Sequence, residues 1–286
     1  MIRLGLHHKA AANSSDRDTV DYGDWAGRLQ LDWRTSDDTL WFVSFNRGIK
    51  GGNFAPSANV RLNNVRHEEE VLHAFELGVK TELADGKARL NATAFYYDYD
   101  DYQAFTFSDG TPSISNADAT NVGAEIELFL LPTPNWDIIL GASYQNSDVD
   151  NVETPQQQVT PVGFSVDWPI DFLNGVELPN APTFNLNYLF RYNWDVNNGN
   201  VAIQFDGAYY DDQFYEVTNG GAAFQEAYNV SNFSVTWSNE EWKVSGWLKN
   251  AFDQEYKIYG LDLGILGGTA VYAPPRWYGF TASYSF

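Results

Sequence analysis

The 286-residue sequence contains no cysteine and only one methionine. The missing thiols exclude disulfide bonds, thiolate catalysis and thiolate zinc sites. Positive charge is also scarce, because 17 Lys and Arg residues stand against 38 Asp and Glu residues and give a formal net charge of −21. Binding to nucleic-acid phosphates needs clustered Lys and Arg, so the composition argues against a nucleic-acid-binding protein.

Long hydrophobic runs are missing as well. No stretch of roughly 18 apolar residues occurs, so the sequence predicts no transmembrane helix. The first residues, MIRLGLHHKAAANSS, lack the apolar core of a signal peptide. A transmembrane β-barrel is compatible with these features, because its lipid-facing residues occupy only every second position.

The sequence does contain an apolar residue at every second position over most of its length. In residues 184–194 the odd-numbered positions are mostly polar, and the even-numbered positions are Phe184, Leu186, Tyr188, Phe190, Tyr192 and Trp194. This period indicates a β-strand with one apolar and one polar face. The pattern predicts about twelve strands, near residues 2–9, 24–35, 38–48, 70–84, 86–107, 116–131, 135–148, 182–195, 200–212, 226–238, 241–253 and 274–286.

The predicted connections alternate strictly between short and long. The short ones are rich in Asp, Asn, Gly and Pro and lie at 35–38, 84–86, 131–135, 195–200 and 239–241. The long polar ones lie at 10–23, 49–69, 108–115, 149–181, 213–225 and 254–273. An up-and-down sheet with turns at one end and loops at the other has this pattern, which is typical of outer-membrane barrels. A sandwich with Greek-key crossings does not predict it.

Aromatic residues are abundant, with 10 Trp, 17 Tyr and 19 Phe. Several lie near the two ends of a predicted strand, as do Trp25 and Trp33, and Trp136 and Tyr144. Such placement is typical of the aromatic girdles at the two membrane interfaces. Cross-strand packing in an ordinary β-sheet core is the alternative.

The last predicted strand ends the chain on an apolar face. That face contains Tyr278, Phe280, Ala282, Tyr284 and Phe286. An apolar final strand with a terminal Phe resembles the assembly signal of bacterial outer-membrane proteins, and the residues that would carry this signal are Tyr284 and Phe286.

Four stretches resemble the barrel of TonB-dependent receptors, the active transporters of the Gram-negative outer membrane. They are NRGIKGGNFAP at 46–56, HAFELGVKTEL at 73–83 with RLNATAFYYDYDDYQ at 89–103, WLKNAFDQEY at 247–256, and the strand that ends at Phe286. Three positions depart from the family pattern: Ile49 replaces an aromatic residue, Phe75 a Tyr and Ala251 a Leu.

The resemblance implies that residues 1–286 form a partial barrel domain of an all-β protein. The expected architecture is an antiparallel up-and-down transmembrane β-barrel segment of about twelve strands, with long extracellular loops and short periplasmic turns. Family members also have a plug, a TonB-binding segment and a barrel of about twenty-two strands. The sequence is therefore expected to correspond to the C-terminal half of a receptor barrel, as a fragment or truncated product.

The resemblance further implies a location in the outer membrane of a Gram-negative bacterium, in contact with its lipid. The implied partners of the full-length parent are TonB and a scarce nutrient, with a ferric siderophore as the expected class. No catalytic motif is present, so we predict a protein that is not an enzyme and needs no cofactor. No metal site is predicted either, because His67 and His73, six residues apart on one strand face, would lie about 20 Å apart.

The long loops are the predicted binding surface, because recognition residues often lie in loops held by rigid strands. The candidate ligand-binding residues are Tyr102, Phe105, Phe164, Trp168, Phe214 and Tyr215. Their aromatic rings suit planar or sugar-like ligands. Aromatic residues at the rim of a barrel also serve as interface anchors or pack the loops together, which is the alternative. Two other functions remain open: a complete porin-like barrel of about twelve strands, and a soluble carbohydrate-binding β-sandwich.

Overall fold

The computed structural model describes residues 2–6, 20–54, 66–108, 111–155, 159–160, 163–164, 170–263 and 267–286. Its main element is one antiparallel sheet of eleven strands, in which every strand pairs with its neighbours in the chain. The strands are β1 (Gly27–Ser36), β2 (Thr39–Lys50), β3 (Glu70–Leu83), β4 (Ala88–Ser108), β5 (Thr111–Leu130), β6 (Trp136–Asp150), β7 (Phe184–Val196), β8 (Gly199–Tyr210), β9 (Tyr228–Ser238), β10 (Trp242–Lys249) and β11 (Trp277–Tyr284).

This architecture confirms the predicted up-and-down order. The connections at 37–38, 84–87, 131–135, 197–198 and 239–241 lie at one end of the sheet, which we call the turn end. The opposite end, the loop end, carries the longer connections and the short one between β4 and β5. Within the described ranges, no helix has the length and apolar composition needed to cross a membrane.

The first predicted strand does not join the main sheet. Ile2–Leu6 pairs instead with Val20–Asp24 in a separate two-stranded sheet. The predicted count of about twelve strands therefore becomes eleven in the sheet, whose edge strands β1 and β11 do not pair with each other in the described structure. The other short antiparallel pairs are Asn53–Phe54 with Arg66–His67, Val152–Pro155 with Ile170–Leu173, Val159–Thr160 with Gly163–Phe164, Gln213–Phe214 with Phe224–Gln225, and Lys257–Asp262 with Gly268–Tyr272.

One predicted long loop is wrong. The polar segment 108–115 was expected to be a loop, but β4 has 21 residues and β5 has 20, so only residues 109–110 separate them. A β-bulge between Tyr99 and Tyr102 interrupts the pairing, and Asp101 there has a left-handed φ of 56°. Such a bulge lets a strand bend and continue. The β4–β5 hairpin consequently extends beyond its neighbours at the loop end.

The two faces of the sheet differ in the way that the alternation predicts. On one face, large apolar side chains are exposed, including Leu29 at 74% and Phe280 at 82%. On the other face, polar side chains bond across the strands: Glu76 accepts hydrogen bonds from Ser44 (3.0 Å) and Tyr97 (3.0 Å). We call these the apolar face and the polar face. Exposed apolar and paired polar side chains are the reverse of a soluble sandwich and suit contact with lipid.

The buried core lies at the loop end. Its members are Ala104, Ala117, Ala119, Val149, Val152 and Val217, all at most 2% exposed. They belong to the β4–β5 hairpin, to the end of β6 and to the connections that follow β6 and β8. This cluster packs the loop-end segments against the ends of the strands.

Candidate functional site

The candidate residues chosen from the sequence do not form one group. Tyr102 packs against the buried core, whereas Phe105 lies on the opposite face of the hairpin and is 48% exposed. Phe214 contacts Phe224, with 5.1 Å between ring centroids. Trp168 and the side chain of Phe164 lie outside the described residues. The role of these residues in ligand binding stays a prediction.

The sixth candidate, Tyr215, belongs to a cluster of four tyrosines at the loop end. Tyr228 stacks on Tyr210 with 5.3 Å between ring centroids, and on Tyr256 with 4.4 Å and 13° between ring planes. The hydroxyl of Tyr215 donates a hydrogen bond to the backbone carbonyl of Lys257. We call Tyr210, Tyr215, Tyr228 and Tyr256 the loop-end tyrosine cluster.

Strand register brings two members of the cluster together. Tyr210 is the last residue of β8 and Tyr228 the first of β9, and the two are direct cross-strand partners. Side chains alternate along a strand, so Tyr210 shares its face with Asp206 and Gln204. These two bond each other at 2.7 Å on the polar face. The stacked rings therefore stand on the polar face, at its loop end.

Loop contacts hold the other two members. The backbone amide of Lys257 donates to the side chain of Gln225 at 2.7 Å, and the backbone amide of Ala273 donates to the carbonyl of Tyr256 at 2.9 Å. The ammonium of Lys257 donates to the carbonyl of Phe224 at 2.7 Å. Burial raises the pKa of Tyr256. Its phenol therefore stays neutral at physiological pH.

The connection 211–227 also buries a carboxyl group. Glu216 is 5% exposed and accepts a hydrogen bond from the backbone amide of Asp262 at 3.1 Å. Burial raises the pKa of Glu216 despite this hydrogen bond. Burial, together with Asp212 and Asp211, also raises the pKa of Glu177. In both cases the folded loops make the carboxyl group easier to protonate than it is in an unfolded chain.

We expect the 211–227 connection to become more resistant to proteolysis as the pH falls from neutral toward the ordinary carboxyl pKa of 4.5, because a carboxyl group with a raised folded-state pKa adds stability as it takes up its proton. Cleavage rates, normalised to an unfolded substrate, measure this resistance. Glu216→Gln should slow cleavage at the higher pH and weaken the pH dependence. A rate that rises on acidification would contradict the assignment.

The residues of the expected assembly signal lie at the free end of the chain. Tyr284 contacts Trp242 of the neighbouring strand, with 4.8 Å between ring centroids, and packs edge-on against Phe286 at 5.3 Å. Phe286 follows the end of β11 and is fully exposed. The terminal ring is therefore accessible to another molecule, and its role in assembly stays a prediction.

The family model described as TonB dependent receptor-like, beta-barrel matches residues 6–251. The chain is also similar to the pesticin receptor of Yersinia pestis, with 25% identity over 246 residues that cover 82% of this chain and 32% of that protein. The chain thus spans about a third of the length of this curated relative.

Solved structures have the same fold. The ferric yersiniabactin uptake receptor of Yersinia pestis matches with a TM-score of 0.75 and 19% identity, over 95% of this chain and 39% of that one. The copper transporter OprC matches with a TM-score of 0.70 and 16% identity, over 99% and 42%. The siderophore receptor PiuA of Acinetobacter baumannii matches with a TM-score of 0.68 and 18% identity, over 95% and 37%.

Proposed function

The chain belongs to the TonB-dependent receptor-like β-barrel family, and on that premise we propose that it forms part of the wall of a receptor that takes up a ferric siderophore. Barrels of this family are outer-membrane proteins of Gram-negative bacteria, and the family transports ligands and does not catalyse reactions. In this proposal residues 1–286 are a partial barrel domain, the apolar face contacts membrane lipid, and TonB drives uptake in the full-length protein.

The loop-end tyrosine cluster is the observation that supports a siderophore most directly. Its rings stand on the polar face, which in a barrel faces the transport path. Stacked aromatic rings bind organic ligands through their faces. The matched relatives include receptors for ferric yersiniabactin and other siderophores. A copper transporter is also among them, but a tyrosine cluster suits an organic complex better than a bare ion.

Iron uptake tests this proposal. In Gram-negative cells without their own siderophore receptors, we expect the protein to take up iron from a ferric siderophore only when TonB is present. Tyr228→Ala should reduce uptake per molecule in the outer membrane, because it removes the middle ring of the stack. The control is Tyr272→Ala, which changes an exposed tyrosine of the Lys257–Asp262/Gly268–Tyr272 hairpin outside the cluster.

Other outcomes would favour the alternatives. Passage of unrelated small solutes without TonB would support the porin-like barrel. Recovery of the chain from the aqueous phase, with affinity for a carbohydrate, would support the soluble sandwich. Either result would contradict the proposed uptake of a ferric siderophore.

A further inference from the structure

The apolar face carries a groove across its middle strands, from β2 to β7, with a volume of about 470 Å³. Trp41 and Leu77 line it on β2 and β3, and Tyr144 and Phe184 line it on β6 and β7. Small side chains form its floor on β4, β5 and β6. These are Ala92, Ala94, Ala124 and Ala142. We call this depression the alanine groove.

Strand register brings the floor residues together. Ala94 and Ala124 are direct cross-strand partners, and Ile126 pairs with both Ala92 and Ala142. Partners on neighbouring strands lie about 5 Å apart on one face, so the four alanines are contiguous. An alanine side chain ends at Cβ and leaves the surface lower than the large side chains around it. The groove is therefore built into the sheet and does not depend on a loop.

Towards the loop end, the same face of the same strands changes from apolar to acidic. Asp98 shares the face of Ala94, because side chains alternate along β4, and lies four residues, or about 13 Å, farther along. Thr120 is the cross-strand partner of both Asp98 and Asp148. A cleft of about 270 Å³ opens here. Its carboxylates are Asp98, Asp100, Asp118, Asp148 and Asp150. We call it the acidic cleft.

The basic side chains beside the acidic cleft do not offset its charge. His73 Nδ1 lies 3.5 Å from Asp100, but its Nε2 accepts a hydrogen bond from Arg47 at 3.3 Å, so the imidazole is neutral. The guanidinium of Arg47 pairs with Asp24 at 2.6 Å. In the part of the chain that the structure describes, the other four carboxylates of the cleft have no ion-pair partner. The cleft therefore attracts positive charge.

We infer that the alanine groove and the acidic cleft together bind a membrane lipid, whose acyl chain lies in the groove and whose head places a free amine at the cleft. The inference rests on the lipid contact of the apolar face, which is part of the proposed function. Methylene groups in the groove bury apolar surface, and the ammonium group meets opposite charge. Among the described residues, no three carboxylate or histidine side chains are placed to hold one metal ion, which favours an amine as the cation.

Two lipids with identical acyl chains test the inference. Phosphatidylethanolamine carries an amine, whereas phosphatidylglycerol is anionic and carries none. The full-length protein, stripped of lipid in detergent, is titrated with each in the presence of a chelator, and native mass spectrometry measures the lipid retained. We expect phosphatidylethanolamine to bind at least about tenfold more tightly, because the carboxylates repel the anionic head.

Filling the groove should remove the bound lipid. We expect Ala94→Phe to weaken retention of phosphatidylethanolamine by about tenfold, because the ring occupies the floor. The matched control is Ala282→Phe, the same change at an exposed alanine of β11 on the same face, outside the groove. Both changes add apolar surface where the sheet contacts lipid, and the amount of each variant in the outer membrane shows that it is folded.

Neutralising the cleft should remove the preference for an amine. We expect the double change Asp98→Asn and Asp148→Asn to bring the affinities of the two lipids to within about twofold of each other, with the acyl chain still held. The control is the double change Glu240→Gln and Glu241→Gln, which removes the same charge from exposed residues at the turn end. It should leave the preference intact.

Three results would overturn the inference: equal or tighter retention of phosphatidylglycerol by the unaltered protein, equal retention of phosphatidylethanolamine by the two phenylalanine variants, or an unchanged preference after the aspartate changes. TonB-dependent iron uptake without any lipid preference would remove the lipid site and leave the uptake function in place. A lipid preference without iron uptake would contradict the uptake function and leave the lipid site in place.

Discussion

Arginine at Ile203 should sharply reduce the amount of protein assembled in the outer membrane, whereas arginine at Ala202 should have little effect. Ile203 is the fifth of the twelve residues of β8 and lies on the apolar face with 41% exposure. A cation near the middle of a lipid-facing strand costs roughly 2–4 kcal/mol. That cost corresponds to about 30-fold or more in the assembly equilibrium.

Ala202 provides the matched control, because it is the adjacent residue of the same strand and points to the polar face. Its cross-strand partners are Asn193 and Thr236. An arginine there can remain hydrated or bond to polar neighbours. The quantity to measure is the protein in the washed outer-membrane fraction relative to total protein. Equal losses for both variants would indicate a core buried on both faces and would contradict the assigned lipid face.

Removing the terminal ring should have the second large effect. We expect Phe286→Ala, and more so Phe286→Asp, to lower the amount of assembled protein several-fold, with little change in ligand affinity per assembled molecule. The ring is fully exposed and its described ring contact is the edge-on one with Tyr284, so its loss removes little packing within the chain. It also lies at the turn end, because β11 runs away from the loop end, where the tyrosine cluster is.

Tyr278→Ala is the control for this prediction. Tyr278 is another exposed aromatic residue, at 83%, on the same face of the same final stretch of chain. If assembly depends on a signal at the C-terminal residue, loss of the Phe286 ring should lower the amount of assembled protein, and loss of the Tyr278 ring should not. If the two alanine variants assemble equally well, Phe286 is one aromatic residue among many, and its role as an assembly signal is wrong.

The strands were predictable because apolar and polar residues alternate along nearly the whole length of each strand. From β2 to β11, each predicted strand overlaps an observed one, and its ends differ by a few residues. Segment 108–115 was the exception. It contains Ser, Asp and Gly, which favour turns, but Thr111 pairs with Ser108 and Ile114 with Phe105, and Ala104 belongs to the buried core. Long-range packing decided the structure there, and the local sequence does not encode it.

The site was less predictable than the fold. The pairing of Tyr210 with Tyr228 follows from the two strands that the sequence predicts, once their register is known. The third ring could not be placed in this way. Tyr256 lies in a long connection, and its position depends on the hydrogen bond from Lys257 to Gln225 and on the one that Tyr256 accepts from Ala273, which no periodicity reveals. Choosing aromatic residues by loop membership therefore found Tyr215 and missed Tyr228 and Tyr256.

The odd number of strands in the sheet limits how its edges can be joined. Ten reversals of direction return the chain to its starting direction, so β1 and β11 run the same way. Joining them to each other, or to the edges of a second copy in the same orientation, would create a parallel seam. Barrels of this class are antiparallel throughout and pair successive strands through short hairpins. An entirely antiparallel wall that includes this sheet therefore requires an odd number of further strands between its two edges.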